Sequence, residues 1–404
     1  MRELSIYIHI PFCVRKCLYC DFLSAPAGEE EIKSYVNLLC REIKEQSIFY
    51  GDHRVISIFL GGGTPSLLAS AEVERILEGI RQDYLVAADA EITIECNPGT
   101  ATAEKLKNYI TSGINRLSLG LQSADDEELA RIGRIHSYGD FLETYRLARE
   151  AGFENVNVDL MAALPGQSMA SYKRTLERVA ALKPEHISAY SLILEEETPL
   201  YVNRSSYTFP TEEEDREMYL FTGDFLEKAG YRRYEISNYA REGFACRHNR
   251  VYWQRGDYAG FGLGASSMVG NVRWKNPQTP PRYAACVEDR EEQGQRRYGT
   301  GRLSAAAETG AERAARMKRG GADEVQVLTV EEQMEEFMFL GLRLTEGVDW
   351  EEFQRLFGKS MEEVYGKTIA SFEAQGLLVR KGGRLALTPC GIDVSNVVFA
   401  AFLF

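Results

Sequence analysis

Apolar positions along the first half of the chain follow two alternating patterns, short strand-like runs and longer helical stripes. The strand-like runs are Leu4–Ile10, Val55–Leu60, Glu91–Glu95, Arg116–Leu121, Asn155–Leu160 and His186–Leu192. Between them, apolar residues recur at helical spacing over Glu30–Phe49, Ala71–Asp83, Ala103–Thr111, Gly139–Ala151 and Met169–Leu182. Strands separated by helices of this length build parallel βαβ units. The pattern predicts an α/β fold over residues 1–200. Six units suit a barrel or partial barrel better than a flat sheet, although periodicity does not reveal closure.

The strand ends are more informative than the interiors. "ISIFL" runs into Gly61-Gly62-Gly63-Thr64-Pro65, and "EITIE" ends on Glu95 before Cys96-Asn97-Pro98. "RLSLGL" reaches Gln122, and "NVNVD" delivers Asp159 ahead of a Leu164-Pro165-Gly166 turn. In (β/α) barrels the C-terminal ends of the strands carry the chemistry. Polar groups and glycines therefore gather on the predicted active rim.

Beyond residue 200 the pattern is weaker. Residues 201–328 read as an aromatic-rich extension of the barrel, and 294–322 as a basic, flexible insertion with at most a marginal helix. Regularity returns over 329–404, with helical stripes at 330–342, 349–357 and 361–375 and two short strands around Lys381-Gly382-Gly383. Helices followed by a β-ribbon predict a mainly helical, winged-helix-like domain. Glu and Asp dominate its helices, so packing or partner binding is expected of it rather than DNA binding.

A hydrophobic share of 44% and a charged share of 26% place the chain among globular proteins and away from disordered ones. The net charge of −13 disfavours nucleic acid as a partner. One strip, 296–319, runs against that balance with seven Arg or Lys and two Glu; it reads as a solvated loop, or as a surface for heme propionates, an anionic membrane or an acidic partner. No leader-like segment precedes the first strand, and no apolar run reaches the roughly 18 residues of a membrane span. A cytoplasmic location is expected.

Three of the eight cysteines crowd into "CVRKCLYC", at 13, 17 and 20, directly behind the first strand. Sparse cysteines elsewhere indicate a reducing compartment, where clustered thiols serve metal or redox chemistry. Structural zinc wants four ligands, and no second Cys knuckle exists. Three thiolates suit an iron–sulfur cube, which normally takes four. Without a fourth thiolate, one iron keeps an exchangeable position. Cys96 and Cys40 read as buried core thiols, while Cys286 and Cys390 carry no signal.

The segment "YIHIPFCVRKCLYCDF", together with "FLGGGTPS", "IECNPG", "RLSLGLQS", "IGRIHS", "VDLMAALPGQ", "HNRVYW" and "EEQMEEFMFLGLRLTEG", resembles the radical S-adenosylmethionine (SAM) family. Within it, the chain is similar to oxygen-independent coproporphyrinogen III oxidases and to the related heme chaperones of the HemW type. Oxidases usually carry another cysteine two positions after the third; this chain has Phe22 there. That departure and "HNRVYW" favour the chaperones, with the oxidase as the alternative.

The resemblance implies a partial (β/α)6 radical SAM barrel with one [4Fe–4S] cluster on Cys13, Cys17 and Cys20 and SAM chelating its fourth iron. It further implies Gly62 at the SAM amino group with Gly63 and Thr64 beside it. Tyr7, Tyr19, Glu95, Gln122, Arg134 and Asp159 match positions that contact SAM. His248, Asn249, Tyr252, Trp253 and Cys246 are the heme-binding candidates, with imidazole or thiolate as axial ligand and the aromatic rings as stacking faces. His9, His136 and His186 are supporting candidates near the rim. Heme is the implied cargo and a heme protein its recipient. No catalytic residue, and no oligomeric state, is implied.

Overall fold

The computed structural model of the chain describes residues 1–298 and 308–404. Strand β1 (Arg2–Ile10) sets the logic of the barrel: Leu4, Ile6, Ile8 and Ile10 are fully buried on one face, and Ser5, Tyr7 and His9 alternate with them on the other. The apolar face packs on the surrounding helices, including Glu29–Gln46, which contributes Val36, Leu39 and Ile43. The polar face lines the concave side. A one-residue slip would exchange the two faces, so the register is firmly specified.

Five further strands follow as the hydrophobic pattern predicts: β2 (His53–Gly62), β3 (Leu85–Cys96), β4 (Arg116–Gln122), β5 (Val156–Ala162) and β6 (His186–Ser191). They pair in sequence order, all parallel. Helices Ser70–Asp83, Ala103–Thr111, Tyr138–Ala151 and Met169–Ala181 make the crossovers. Capping boxes at Ser137/Asp140 and Ser168/Ser171 start two of them, satisfying amides that would otherwise lack partners.

The sheet does not end near residue 200. On one edge, β8 (Asn238–Ala240) pairs antiparallel with β6, and β7 (Arg232–Arg233) with β8. On the other, β9 (Tyr258–Phe261) runs parallel to β1, and β10 (Ser266–Val269), β11 (Val272–Lys275) and β12 (Asp323–Val327) extend it antiparallel. Among the described residues this makes one twelve-stranded sheet. The segment 201–328 thus supplies both edges of the barrel.

The expectation of a flexible insertion over 294–322 is corrected where the structure describes it. Residues 299–307 lie outside the described residues, but helices Pro280–Tyr298 and Gly310–Arg319 flank them. Helix Pro280–Tyr298 is stapled to the barrel by buried Glu42, whose carboxylate accepts from Arg290 Nη1, Tyr283 Oη, Asn276 Nδ2 and Gly262 N at 2.7–3.0 Å. In helix Gly310–Arg319, Ala314 and Met317 are buried. Arg313 and Arg316 pair with Glu308, and Arg316 stacks on Phe49. These two basic residues are thereby bound within the fold rather than free for an anionic partner.

The C-terminal unit has its own core, built from Met338, Leu342, Phe353, Met361, Ile369, Leu385 and Phe402 among others. Helices Val330–Gly341, Trp350–Phe357 and Met361–Ala374 pack on a three-stranded antiparallel ribbon of β13 (Val348–Asp349), β15 (Arg384–Leu387) and β14 (Leu378–Lys381). Buried Glu336 ties it to the barrel through Arg255 (2.9 Å) and Arg273 (2.7 Å). Among the described residues, no helix is long and apolar enough to cross a membrane.

Candidate functional site

The cysteine loop leaves β1 at the C-terminal rim and is tied down by backbone bonds rather than by its thiols. Cys13 N donates to Ala25 O, Leu18 N to Ile132 O, and Leu200 N to Leu18 O, at 2.9–3.1 Å. The glycine loop after β2 braces the same segment: Gly63 N donates to Ile10 O (2.8 Å) and Thr64 N to Phe12 O (2.7 Å). These amides are therefore occupied by the cysteine loop. Thr64 Oγ1 sits 3.4 Å from Cys13 Sγ and accepts from Asn97 Nδ2 at 2.8 Å.

All three thiols are free and half-buried. Burial pushes the Cys20 thiol up, and the neighbouring Cys17 and Cys13 add to the rise, so a positive centre among the sulfurs would relieve their mutual repulsion. Among the described residues, no three His, Cys, Asp or Glu side chains are already drawn to one metal-binding point. The donors fit three corners of a cube on one braced loop, with the sulfurs still to converge. Cys96 offers no fourth corner, being buried with its Sγ against Asn97 O and Thr100 Oγ1.

Arg134 links this loop to the strand ends. Its Nη1 donates to Asn97 Oδ1 (3.2 Å) and Cys17 Sγ (3.7 Å), and its Nη2 donates to Gly120 O. A Cβ on Gly120 would lie 2.6 Å from that Nη2 and would push the guanidinium off the strand. Two residues on, Gln122 has a left-handed backbone (φ 71°) at a break in the β4–β5 register. Strain of this kind in a non-glycine residue concentrates at functional sites. Tyr19 packs with Ile132, Met161, Leu164 and Leu192 below the loop.

Inside the rim lies a cavity of about 230 Å³, lined by Tyr7, Phe59, Gly62, Glu95, Asp159, Tyr190, His248 and Tyr252 among others. It joins residues predicted for SAM to residues predicted for heme. Glu95 Oε2 accepts from Gly62 N at 3.0 Å, and burial, reinforced by the charge of Asp159, pushes its carboxyl up to about 8. At neutral pH this acid is mostly protonated and can donate as well as accept. Asp159 accepts from Ser118 Oγ (3.1 Å) and Asn157 Nδ2 (2.8 Å). Phe22, 67% exposed, stands at the mouth, where the oxidase pattern has cysteine.

The helix Arg247–Trp253 closes the cavity from below, its N-terminus capped by buried Glu91 from β3: Glu91 accepts from Arg247 N (3.0 Å), His248 N (3.1 Å) and Cys246 Sγ (3.4 Å). His248 is 2% exposed and has both ring nitrogens engaged, with Ser57 Oγ at 3.0 Å and Tyr252 Oη at 2.9 Å, while its ring stacks on Phe59. Burial and then Arg116 lower its pKa to about 3. Cys246 is fully buried, and burial raises its thiol to about 12. Trp253 lies outside the cavity, beneath the Arg343 guanidinium of the C-terminal unit at 4.3 Å.

The heme-binding candidates are thus placed unevenly. In this conformation neither His248 nor Cys246 presents a free donor atom, and Trp253 offers the cavity no stacking face. Asn249 and Tyr252 do line the cavity. The supporting histidines are likewise neutral and bonded: His9 to Leu23 O and Tyr7 Oη, His136 to Leu121 O, and His186 to Asn157 Oδ1 and Tyr234 Oη.

Sequence reasoning missed Arg116, Ser118, Asn157, Ser188 and Tyr190 on the cavity wall. Their signal was available: Arg116/Ser118/Gly120, Asn157/Asp159 and His186/Ser188/Tyr190 are polar or small residues at every second position of otherwise apolar strands.

Compared with known proteins, residues 7–179 match the Radical SAM superfamily and residues 328–394 the HemN C-terminal domain. The heme chaperone HemW of Lactococcus lactis is 35% identical over 404 residues, covering 99% of this chain and 97% of its own length. That of Bacillus subtilis is 34% identical over 402 residues and 99% of each chain. That of Escherichia coli is 41% identical over 270 residues, 67% of this chain and 71% of its own. Among solved structures, the coproporphyrinogen III oxidase HemN of Escherichia coli, titled a radical SAM enzyme, superimposes with a TM-score of 0.80 at 23% identity, covering 99% of this chain and 90% of that one. That likeness establishes the shared fold. With relatives matched from end to end, the chain belongs to the HemW family of the radical SAM superfamily.

Proposed function

We propose that this chain is a heme chaperone that carries a [4Fe–4S] cluster on Cys13, Cys17 and Cys20, binds SAM at the barrel mouth and passes heme to a receiving heme protein. The observation that carries the reading is the match to HemW chaperones along nearly the whole of both chains. Phe22 supports it over the oxidase, because an exposed apolar side chain stands where the oxidase pattern has a further cysteine.

Bound on the three thiols, the cluster and SAM supply one-electron chemistry. The chain's own residues bind and orient. Gly62 and Glu95, already hydrogen-bonded to each other, receive the cationic end of SAM. Arg134 holds Cys17 and the end of β4 in one frame beside Gln122 and Asp159. Thr64 and Gly63 keep the cysteine loop against the rim. Tyr7 and Tyr252 wall the cavity beneath, while Tyr19 packs under the loop and keeps water from the sulfurs.

Heme binds outside this cavity, because about 230 Å³ falls below the about 300–1,000 Å³ of pockets for drug-sized ligands, and a porphyrin is larger still. The test is anaerobic reconstitution, then heme titration and transfer to an apo heme protein. Stable heme binding followed by transfer is expected. Conversion of coproporphyrinogen III to protoporphyrinogen under the same conditions would overturn the reading in favour of the oxidase.

A further inference from the structure

The floor of the cavity holds a charge that the reading above does not use. Arg116, the first residue of β4, is 1% exposed, and its Nε has no hydrogen-bond partner. Leaving a buried donor unpaired costs about 1–3 kcal/mol, and more for a charged group. The nearby carboxylates of Glu91 and Asp159 act on its charge through space but spend their hydrogen bonds elsewhere. Glu91 serves the N-terminus of helix Arg247–Trp253, and Asp159 serves Ser118 and Asn157.

Around Arg116 the wall is polar and fixed. Asn157 Nδ2 donates to Ser118 Oγ at 2.8 Å, and Asn157 Oδ1 accepts from Ser188 Oγ at 3.1 Å and meets His186 Nδ1 at 2.6 Å. The side chains that reach the floor are therefore held by one another, and Arg116 Nε is left without a hydrogen-bond partner. Of the two other acids in the cavity, Asp159 is held by Ser118 and Asn157, and Glu95 faces Gly62 at the rim. A guanidinium selects carboxylates, which it binds through charge-assisted hydrogen bonds.

We propose that Arg116 is the docking point for an aliphatic carboxylate that enters the barrel through the mouth: either a small free acid or a single propionate arm of heme lying outside. Only the second source rests on the chaperone reading.

The test uses the full chain, anaerobically reconstituted with cluster and SAM, and titrates propionate against propionamide by calorimetry. Propionate is expected to bind about tenfold tighter or more. Arg116→Gln abolishes that preference, and Arg116→Lys retains part of it. Equal binding of the two probes by the unmodified chain overturns the proposal. So does undiminished propionate selectivity in a folded Arg116→Gln variant. Should that variant not fold, the probe comparison on the unmodified chain decides alone.

Hemin and hemin dimethyl ester then separate the sources. A hemin preference that vanishes in Arg116→Gln assigns the carboxylate to the cargo, and equal binding of hemin and ester by both proteins assigns it to a small acid. Failure to bind heme at all would remove the chaperone reading and leave the propionate result standing.

Discussion

Replacing Gly63 by alanine tests whether the glycine loop is the brace of the cysteine loop. A Cβ there would lie 2.6 Å from Phe12 O and 2.9 Å from both Ile10 O and Phe12 N, whereas ordinary contact begins at 3.4 Å. These are backbone atoms of the segment that leads into Cys13, so no side-chain rotation relieves the clash. The segment must move by about 0.8 Å, which strains the bonds from Gly63 N to Ile10 O and from Thr64 N to Phe12 O. Overpacking of this kind costs about 1–3 kcal/mol, and weakening two hydrogen bonds adds about 1 kcal/mol. At about 2–4 °C per kcal/mol for a domain of 150–250 residues, the apo protein should melt roughly 4–16 °C lower. Displacing Cys13 should also reduce the iron retained after reconstitution. Gly79→Ala is the control, because a Cβ there meets nothing within 4 Å. Equal melting temperature and iron content in the two variants would refute the bracing argument.

Glu95 is expected to make SAM binding depend on pH. Its carboxyl, raised to about 8, stays protonated in the apo fold, while the unfolded chain ionises near 4.5. The unfolded state therefore releases its proton first, and the group weakens the apo fold progressively as pH rises from about 4.5 to about 8. A cationic ligand draws out the same proton, so SAM affinity should increase with pH up to about 8; Glu95→Gln should flatten both profiles, and a slope that persists in the variant contradicts the assignment. Arg134→Lys keeps the charge but cannot span Cys17, Asn97 and Gly120, so SAM affinity should fall about tenfold to a hundredfold by titration. His248→Ala removes a buried ring bonded to Ser57 and Tyr252 and should cost about 3 kcal/mol of stability while leaving the heme spectrum unchanged. Loss of an axial-ligand signature would instead show that helix Arg247–Trp253 opens to bind heme.

The strand ends made the rim legible, because parallel strands buried on both faces must show their polar residues as exceptions. The floor was equally legible in "RLSLGL" and "HISAYS" through period-two alternation of polar or small residues with apolar ones. Strands β9, β10 and β11 are four residues each, too short to carry a period, and β1, the partner that joins β9 to the barrel, lies more than two hundred positions away. Helix Gly310–Arg319 was hidden for another reason. Its Arg313 and Arg316 are satisfied by Glu308 and Phe49, contacts that composition does not reveal and that make an Arg-rich segment look solvated. His248 carried the opposite signal: a histidine beside aromatics suggested a ligand, yet tertiary packing supplied both its nitrogens with partners.

The central claim is a cubane held by three thiolates with one iron open to SAM. Mössbauer and EPR spectra of the anaerobically reconstituted chain, with and without SAM, test it most directly. The account predicts four irons per chain, one of them spectroscopically distinct and shifted by SAM, and loss of the cluster on alanine substitution of Cys13, Cys17 or Cys20. Bound zinc, or four equivalent irons indifferent to SAM, would contradict it.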